Sequence, residues 1–404
     1  MADPAGSSIV DLDLRGRAVV RLVGAGPAEM RMVRRQLGPL PAIARATASA
    51  DLARPTGPES ARVVRTAASS AETREPDVTI RFVDRLERDG PVRRVGPDAQ
   101  AIGDGFVLTR GRRTSQVRVE VPVGSLGSGP ATLVAERGGR SIPLLLPILA
   151  ASLLARGVAA AHASAFVVDG HGVFVSGWAK GGKSETLLAF LIQGARYVGD
   201  EWLFVDPDGP SMFGPPEPIR LWDWQLAQVP TLRARIGRSD RVRLGGAGGL
   251  AHLLGGIGRA PAVGGTAVGE AARRAGAVVD RQRSTQFAVE ELFGPAAIHA
   301  EAASLDRVVL VAGSNEDSVR AGVRPDEAAA RIAATTVHEL LDLQALRLAY
   351  RHAFPDRQAE GLEDLEARLR AVYERAFGNV PIIEVRHRHP PDIAALHGLI
   401  GPAL

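Results

Sequence analysis

Hydrophobic positions along the first part of the chain recur in short alternating runs separated by polar or Gly-rich punctuation. "RAVVRLVGA" (17–25) reads as a strand and "AEMRMVRRQLG" (28–38), with apolar positions at helical spacing, as the helix after it. Residues 44–76 are rich in Ala, Ser, Thr, Pro and Arg and show little periodicity, which predicts a loop or linker. "DVTIRFVDRL" (77–86), "GFVLTR" (105–110), "TSQVRVEVPV" (114–123) and "ATLVAER" (131–137) are strand-like, and the last three have the spacing of an antiparallel sheet. The pattern predicts a small α+β domain over residues 1–140. Nothing in it suggests chemistry.

A second domain is expected from residue 141, and from 157 the texture changes. "IPLLLPILAASLLA" (142–155) is the most apolar stretch, too short to span a bilayer, and reads as a buried helix entering a second domain. "SAFVV" (164–168) and "GVFVS" (172–176) flank the turn Asp169-Gly170-His171-Gly172 and predict a hairpin, with His162 at the start of its first strand. "SETLLAFLIQG" follows as a helix of about three turns that Gly194 should stop. "ARYVG" and "WLFVD" are two more strands, divided by Asp200-Glu201. Residues 231–282 are Arg- and Gly-rich and suggest a mobile segment or lid. "DRVVLVAG" (306–313) is a strand, and 325–377 is largely helical.

Composition narrows the class. The chain has 404 residues, 45% of them hydrophobic and 23% charged, as expected of a globular protein with one large or two ordinary domains. Acids nearly balance bases, 45 against 49, and no basic run is interleaved with aromatics, so nucleic acid is not an expected partner. The N-terminus is acidic and lacks the apolar core of a secretory signal, and no membrane association is expected. There are no cysteines, which excludes disulfides and thiolate chemistry and fits a reducing cytoplasm.

The basic residues divide into 47 Arg and only two Lys, Lys180 and Lys183, both inside "GWAKGGKSET" (177–186). That stretch contains Gly-x-x-x-x-Gly-Lys-Ser between a predicted strand and a predicted helix, the context in which the pattern cradles phosphate. Glycines let the backbone wrap an anion, and the helix N-terminus adds partial positive charge. The compact ammonium of Lys183 fits between phosphate oxygens where a planar guanidinium is too wide, and the Ser184 hydroxyl suits Mg²⁺. Candidate nucleotide-binding residues are therefore Gly177, Trp178, Ala179, Lys180, Gly181, Gly182, Lys183, Ser184 and Glu185. Lys180 either touches phosphate or is an exposed loop residue. Asp200-Glu201, at the end of the next strand, is either a solvated turn or the acidic partner that holds metal and accepts a hydroxyl proton. All four tryptophans (178, 202, 222 and 224) lie close by, either to stack on a base or to pack around a sheet. "RHRHPP" (386–391) fits no compact metal spacing and reads as a solvated surface.

Segment 162–206, with its His, hairpin, phosphate loop ending Gly-Lys-Ser-Glu-Thr, helix and paired acids, resembles the catalytic core of the HPr kinase/phosphorylase family. Those bacterial enzymes phosphorylate a serine of the carrier protein HPr. The spacings from His162 to Lys183 and from Lys183 to Asp200 are those of the family. The resemblance implies an α/β fold with a P-loop kinase domain of the HPr kinase C-terminal type over 141–404. It implies that Lys183 and the loop hold the β-phosphate of ATP, that Ser184 and Glu201 hold Mg²⁺, that Asp200 is the catalytic base, and that His162 tunes it. It also implies a homo-oligomer. The chain departs from the family downstream. "PEPIRLWDW" (216–224) stands where the family has Glu-Ile-Arg-Gly-Leu-Gly, with Glu217 and Arg220 one residue further apart, and the Gly-Arg-Asn expected after Arg324-Pro325 is replaced. The expected activity is ATP- and Mg²⁺-dependent transfer of the γ-phosphate to an unidentified hydroxyl, on a protein serine or a small metabolite. The rival expectation is an ATP-binding switch that transfers nothing. A relative of phosphoenolpyruvate carboxykinase is a third, for which no carboxylate-binding Arg stands out.

Overall fold

A computed structural model describes residues 8–44, 74–110, 117–244 and 283–404, together with 246, 266 and 270. Most of the predicted linker (45–73) and of the suggested lid (245–282, apart from three single residues) lies outside them. The chain is mixed α/β and divides into two units. One comprises residues 1–35, 40–156 and 343–363, the other 36–39, 157–342 and 364–404. Among the described residues no helix is long and apolar enough to cross a membrane.

The first unit is built on a nine-stranded sheet. Its strands are β1 (Ile9–Leu14), β2 (Ala18–Val23), β3 (Ala42–Ala44), β4 (Val78–Val83), β5 (Val92–Arg94), β6 (Ala99–Ile102), β7 (Gly105–Arg110), β8 (Val117–Glu120) and β9 (Ala131–Glu136), in the order β3-β1-β2-β4-β9-β8-β7-β6-β5. β2, β4 and β9 run parallel, and β7, β8 and β9 form the expected antiparallel run. Helix α1 (Pro27–Leu37) follows β2 as its pattern predicts. Strand β1 was hidden by its acids. Asp11 is only 6% exposed, yet Arg21 stands opposite it in β2 and donates to its carboxylate at 2.8 Å, so the buried charge is paired. Helix α2 (Leu145–Leu154) is buried along most of its length and packs on β4 and β9.

The second unit holds another large sheet. β10 (Ala159–Val168) and β11 (His171–Ser176) form the predicted hairpin, with Asp169 and Gly170 both at positive φ in its two-residue turn. β10 is longer than its sequence pattern suggested, so His162 sits inside the strand, opposite Trp202, rather than at its start. After α3 (Lys183–Ile192) come β12 (Arg196–Gly199), β13 (Trp202–Asp206) and β14 (Ser211–Phe213), then the small ribbon strand β15 (Ile219–Trp222), α4 (Asp223–Gln228) and α5 (Pro230–Arg235). β16 (Ser284–Phe287) pairs with β15. α6 (Val289–Phe293), β17 (Ala303–Ser304), β18 (Arg307–Ser314) and β19 (Ser318–Ala321) follow. Helices α7 (Pro325–Glu339) and α9 (Leu365–Phe377) precede β20 (Ile382–Arg388) and α10 (Ile393–Ile400), while α8 (Leu341–Ala353), between α7 and α9 in the chain, belongs for most of its length to the first unit. The sheet order is β17-β14-β13-β10-β11-β18-β20-β19, with β12 also paired to β10.

β11, β18 and β20 are mutually parallel in that order, so their carboxyl ends share one edge of the sheet. Both faces are covered, and β11 is accordingly apolar almost throughout. Val173 and Val175 join the core beneath α3 and α10, while Phe174, on the opposite face, lies 5.9 Å from the ring of Phe377 in α9. Phe166 of β10 stacks on Phe190 of α3, ring centroids 4.5 Å apart. Burying α3 residues such as Leu187, Phe190 and Leu191 contributes about 1.5–3 kcal/mol each. This fastens the first turn of α3 to the sheet edge where the phosphate-loop pattern lies.

Candidate functional site

Residues 177–182 connect the end of β11 to the start of α3 in a tight loop. Gly177 passes so close to β18 that a Cβ would collide with the Val311 carbonyl. Gly182 has φ 106°, and a side chain there would strike the ring of His387. Lys183 is 6% exposed and its ammonium bridges the loop, donating to the carbonyls of Gly177 at 2.9 Å and Trp178 at 3.1 Å. Burial lowers its pKa, and the charges of Glu201, Asp200, Glu339 and Glu185 oppose that shift. Thr186 donates its hydroxyl to the Gly182 carbonyl, and Ser164 of β10 to that of Lys183, so the first turn of α3 is tied to both loop and sheet. Lys180 is exposed, at φ 62°.

The acidic pair comes to the same place. Ser184 donates its hydroxyl to Asp200, with Oδ2 at 3.0 Å and Oδ1 at 3.2 Å. Asp200 is 3% exposed. Burial, followed by the neighbouring Glu201 charge, pushes its carboxyl up to about 7. Glu201, at φ 66°, turns outward, and the hydrogen bond with His162 holds it below the ordinary carboxylate range. His162 sits between two carboxylates, Nε2 at 3.0 Å from Glu201 and Nδ1 at 2.9 Å from Glu339. Glu217 is a further, half-buried acid. Desolvation of its carboxyl, followed by the charges of Glu201 and Asp200, pushes it up to about 9.

His162, Glu201 and Glu339 border a cavity of about 750 Å³ that is also lined by the loop from Ala179 to Glu185 and by side chains of β15 and α4. Asp200 lies behind Ser184 rather than on the wall. Gly177 and Trp178 line a second cavity of about 490 Å³ on the far side of the loop, bordered by β18 and α7. Trp178 is half-exposed and stacks on His338 of α7, centroids 4.9 Å apart. Trp202 stays in the sheet, while Trp222 and Trp224 face the larger cavity.

In the segment "RHRHPP", Arg386, Arg388, His389 and Pro390 are exposed as expected, but His387 and Pro391 are not. His387 is 2% exposed at the carboxyl end of β20, where its Nε2 donates to the Gly181 carbonyl at 2.8 Å and its Nδ1 faces the Arg388 carbonyl at 2.9 Å. Period-two alternation carried the signal: Ile383 and Val385 face the core, so His387 is the next inward position. His389, Pro390 and Pro391 line the cavity. Glu339, at the end of a long helix, left no signal in the sequence.

The donors near Ser184 are hard oxygens, its hydroxyl and the carboxylates of Asp200 and Glu201, which suits Mg²⁺. Among the described residues no three His, Cys, Asp or Glu side chains converge as a metal cage. Mg²⁺ rarely requires one, because it is usually held by one or two carboxylates, waters and substrate phosphates.

The raised Asp200 pKa has a stability consequence. The folded carboxyl keeps its proton up to about pH 7, whereas the unfolded one ionises near 4. The native state is therefore progressively penalised as pH rises from 4 through 7. Asp200→Asn, neutral throughout, should raise Tm by a few °C at pH 8 and leave it unchanged at pH 4, measured by thermal unfolding.

No protein-family model and no curated protein sequence matches the chain.

Proposed function

We propose that the second unit is an ATP- and Mg²⁺-dependent phosphotransferase that moves a γ-phosphate to a hydroxyl, on a P-loop core of the HPr kinase C-terminal type. The observation that carries this reading is the Ser184–Asp200 contact. A carboxyl poised near pH 7 accepts a hydrogen bond from the hydroxyl that directly follows the phosphate-loop lysine. An acceptor hydroxyl in the place of Ser184's would present its proton to the same group. The order of hairpin, loop, helix and paired acids supports the core type.

On this reading the loop amides and Lys183 bind the phosphates, and Lys183 leaves its two carbonyl partners to do so. Asp200 takes the acceptor proton. His162, clamped by Glu201 and Glu339, fixes the outward acid and keeps it ionised. Ser184 and Glu201 would hold Mg²⁺, which when bound neutralises charge on the phosphates. The reaction is formally simple: the acceptor oxygen bonds to the γ-phosphorus, the bond to the β-bridging oxygen breaks, and ADP leaves.

The test follows γ-labelled ATP. The purified protein with Mg²⁺ is incubated with a desalted lysate and, separately, with the small-molecule fraction. Label moving to an acceptor with the wild type but not with Asp200→Asn is the expected result, and the labelled fraction tells protein from metabolite. ATP binding with no label in either fraction would replace the kinase reading with that of a nucleotide-dependent switch.

A further inference from the structure

The larger cavity has two chemically different groups of lining residues. One is His162 with Glu201 and Glu339, which share its two ring nitrogens. The other is Trp222 and Trp224 together with Pro390 and Pro391, linked by the bond from Gln228 to the Pro391 carbonyl. Only 18 of the 404 residues are aromatic (11 Phe, 3 Tyr and 4 Trp), and two of the four tryptophans stand on this wall.

The aromatic wall is fixed in place by two side-chain amides, one of them buried. Gln225 of α4, 2% exposed, donates from Nε2 to Glu185 Oε1 at 2.7 Å and accepts from the Trp222 amide at 2.8 Å. It thus ties the wall to the residue immediately after Ser184. Gln228 donates to the Pro391 carbonyl at 3.1 Å and accepts from the Ile393 amide at 2.9 Å, which holds the proline segment against α4. Arg283, another lining residue, is paired with Asp223 at 2.9 Å, and Arg220 and His389 also border the cavity. The wall offers flat apolar faces, which suit an uncharged ring better than a phosphate.

We infer that the wall made by Trp222, Trp224, Pro390 and Pro391 is the subsite for the planar heteroaromatic base of the nucleotide whose phosphates the loop holds. The inference rests on the nucleotide-binding reading above and extends it to a named binding surface. The part of the cavity near His162, Glu201 and Glu339 is left to the reacting phosphate, its Mg²⁺ and the acceptor. A cavity of about 750 Å³ is large enough for a nucleotide lying from Ser184 past Glu185 to α4.

Titration calorimetry with Mg²⁺ present tests the subsite, using ATP and inorganic tripolyphosphate as the two probes. The wild type should bind ATP at least about tenfold more tightly than tripolyphosphate. The double variant Trp222→Ala/Trp224→Ala should lose about ten- to a hundredfold in ATP affinity and keep its tripolyphosphate affinity. Retained tripolyphosphate binding also reports that the loop remains folded. The Phe pair, Trp222→Phe/Trp224→Phe, should recover most of the ATP affinity. Equal affinities for both probes in the wild type would overturn the subsite while leaving phosphate binding intact. So would a double variant with unchanged ATP affinity, or a loss that appears instead in Trp178→Ala at the second cavity. If neither probe binds the wild type, the nucleotide reading falls and the subsite falls with it.

Discussion

Asp200→Asn should slow phosphoryl transfer by about a hundred- to ten-thousandfold, the range expected when a positioned base is removed. Asn keeps the shape of Asp and still offers an oxygen to Ser184, so ATP affinity should change only a few-fold. The pH profile gives a sharper test. The wild-type carboxyl is pushed up to about 7 by burial and by Glu201, and it works as a base only when ionised. The wild-type kcat/KM should therefore climb with pH up to about 7 and then level off. In the variant the low residual rate should lack that step. Steady-state rates from pH 5 to 9 decide the matter, and a variant as fast as the wild type would remove Asp200 from the chemistry.

Lys183→Arg should weaken ATP binding about as badly as Lys183→Met, by about a hundredfold or more on titration. This is the less intuitive expectation, because the substitution keeps the charge, and this chain uses arginine for 47 of its 49 basic residues. The reason lies in the packing. The ammonium sits inside the loop, 6% exposed, within 3.1 Å of two carbonyls. A guanidinium is wider, planar and burdened with five donors, and the space at Gly177 is already closed by β18. If Arg were tolerated and Met were not, charge alone would suffice and the loop's close fit would be irrelevant to binding.

The parts of the site that were legible in the sequence are those written within a few dozen residues of each other. The hairpin, the loop, α3 and the acidic pair each carry a local signature, in alternation, in glycines, or in a helical run that Gly194 ends at φ 96°. The parts that were not legible depend on distant pairings. Glu339 reaches His162 from the end of α7, and nothing in the pattern of that helix marks its last residue. His387 was obscured by its neighbours Arg386 and Arg388, whose charges read as solvated although alternation points His387 inward. β1 was hidden in the same way, because the partner that permits Asp11 to be buried is Arg21 on another strand. Trp222 and Trp224 were visible as a composition bias. What they face became clear only once Gln225 and Gln228 tied α4 to Glu185 and Pro391.

The contact between His387 and the Gly181 carbonyl spans 206 positions of sequence. During synthesis the loop emerges early, with its glycines free to sample many shapes, and it waits for β20 before its outer carbonyl has a partner. A ribosome-bound chain halted short of residue 387 should therefore carry the complete Gly-Lys-Ser signature and yet lack the loop's settled form. The unit would gain the settled shape of this loop as one of the last events of folding, once the sheet is assembled around it.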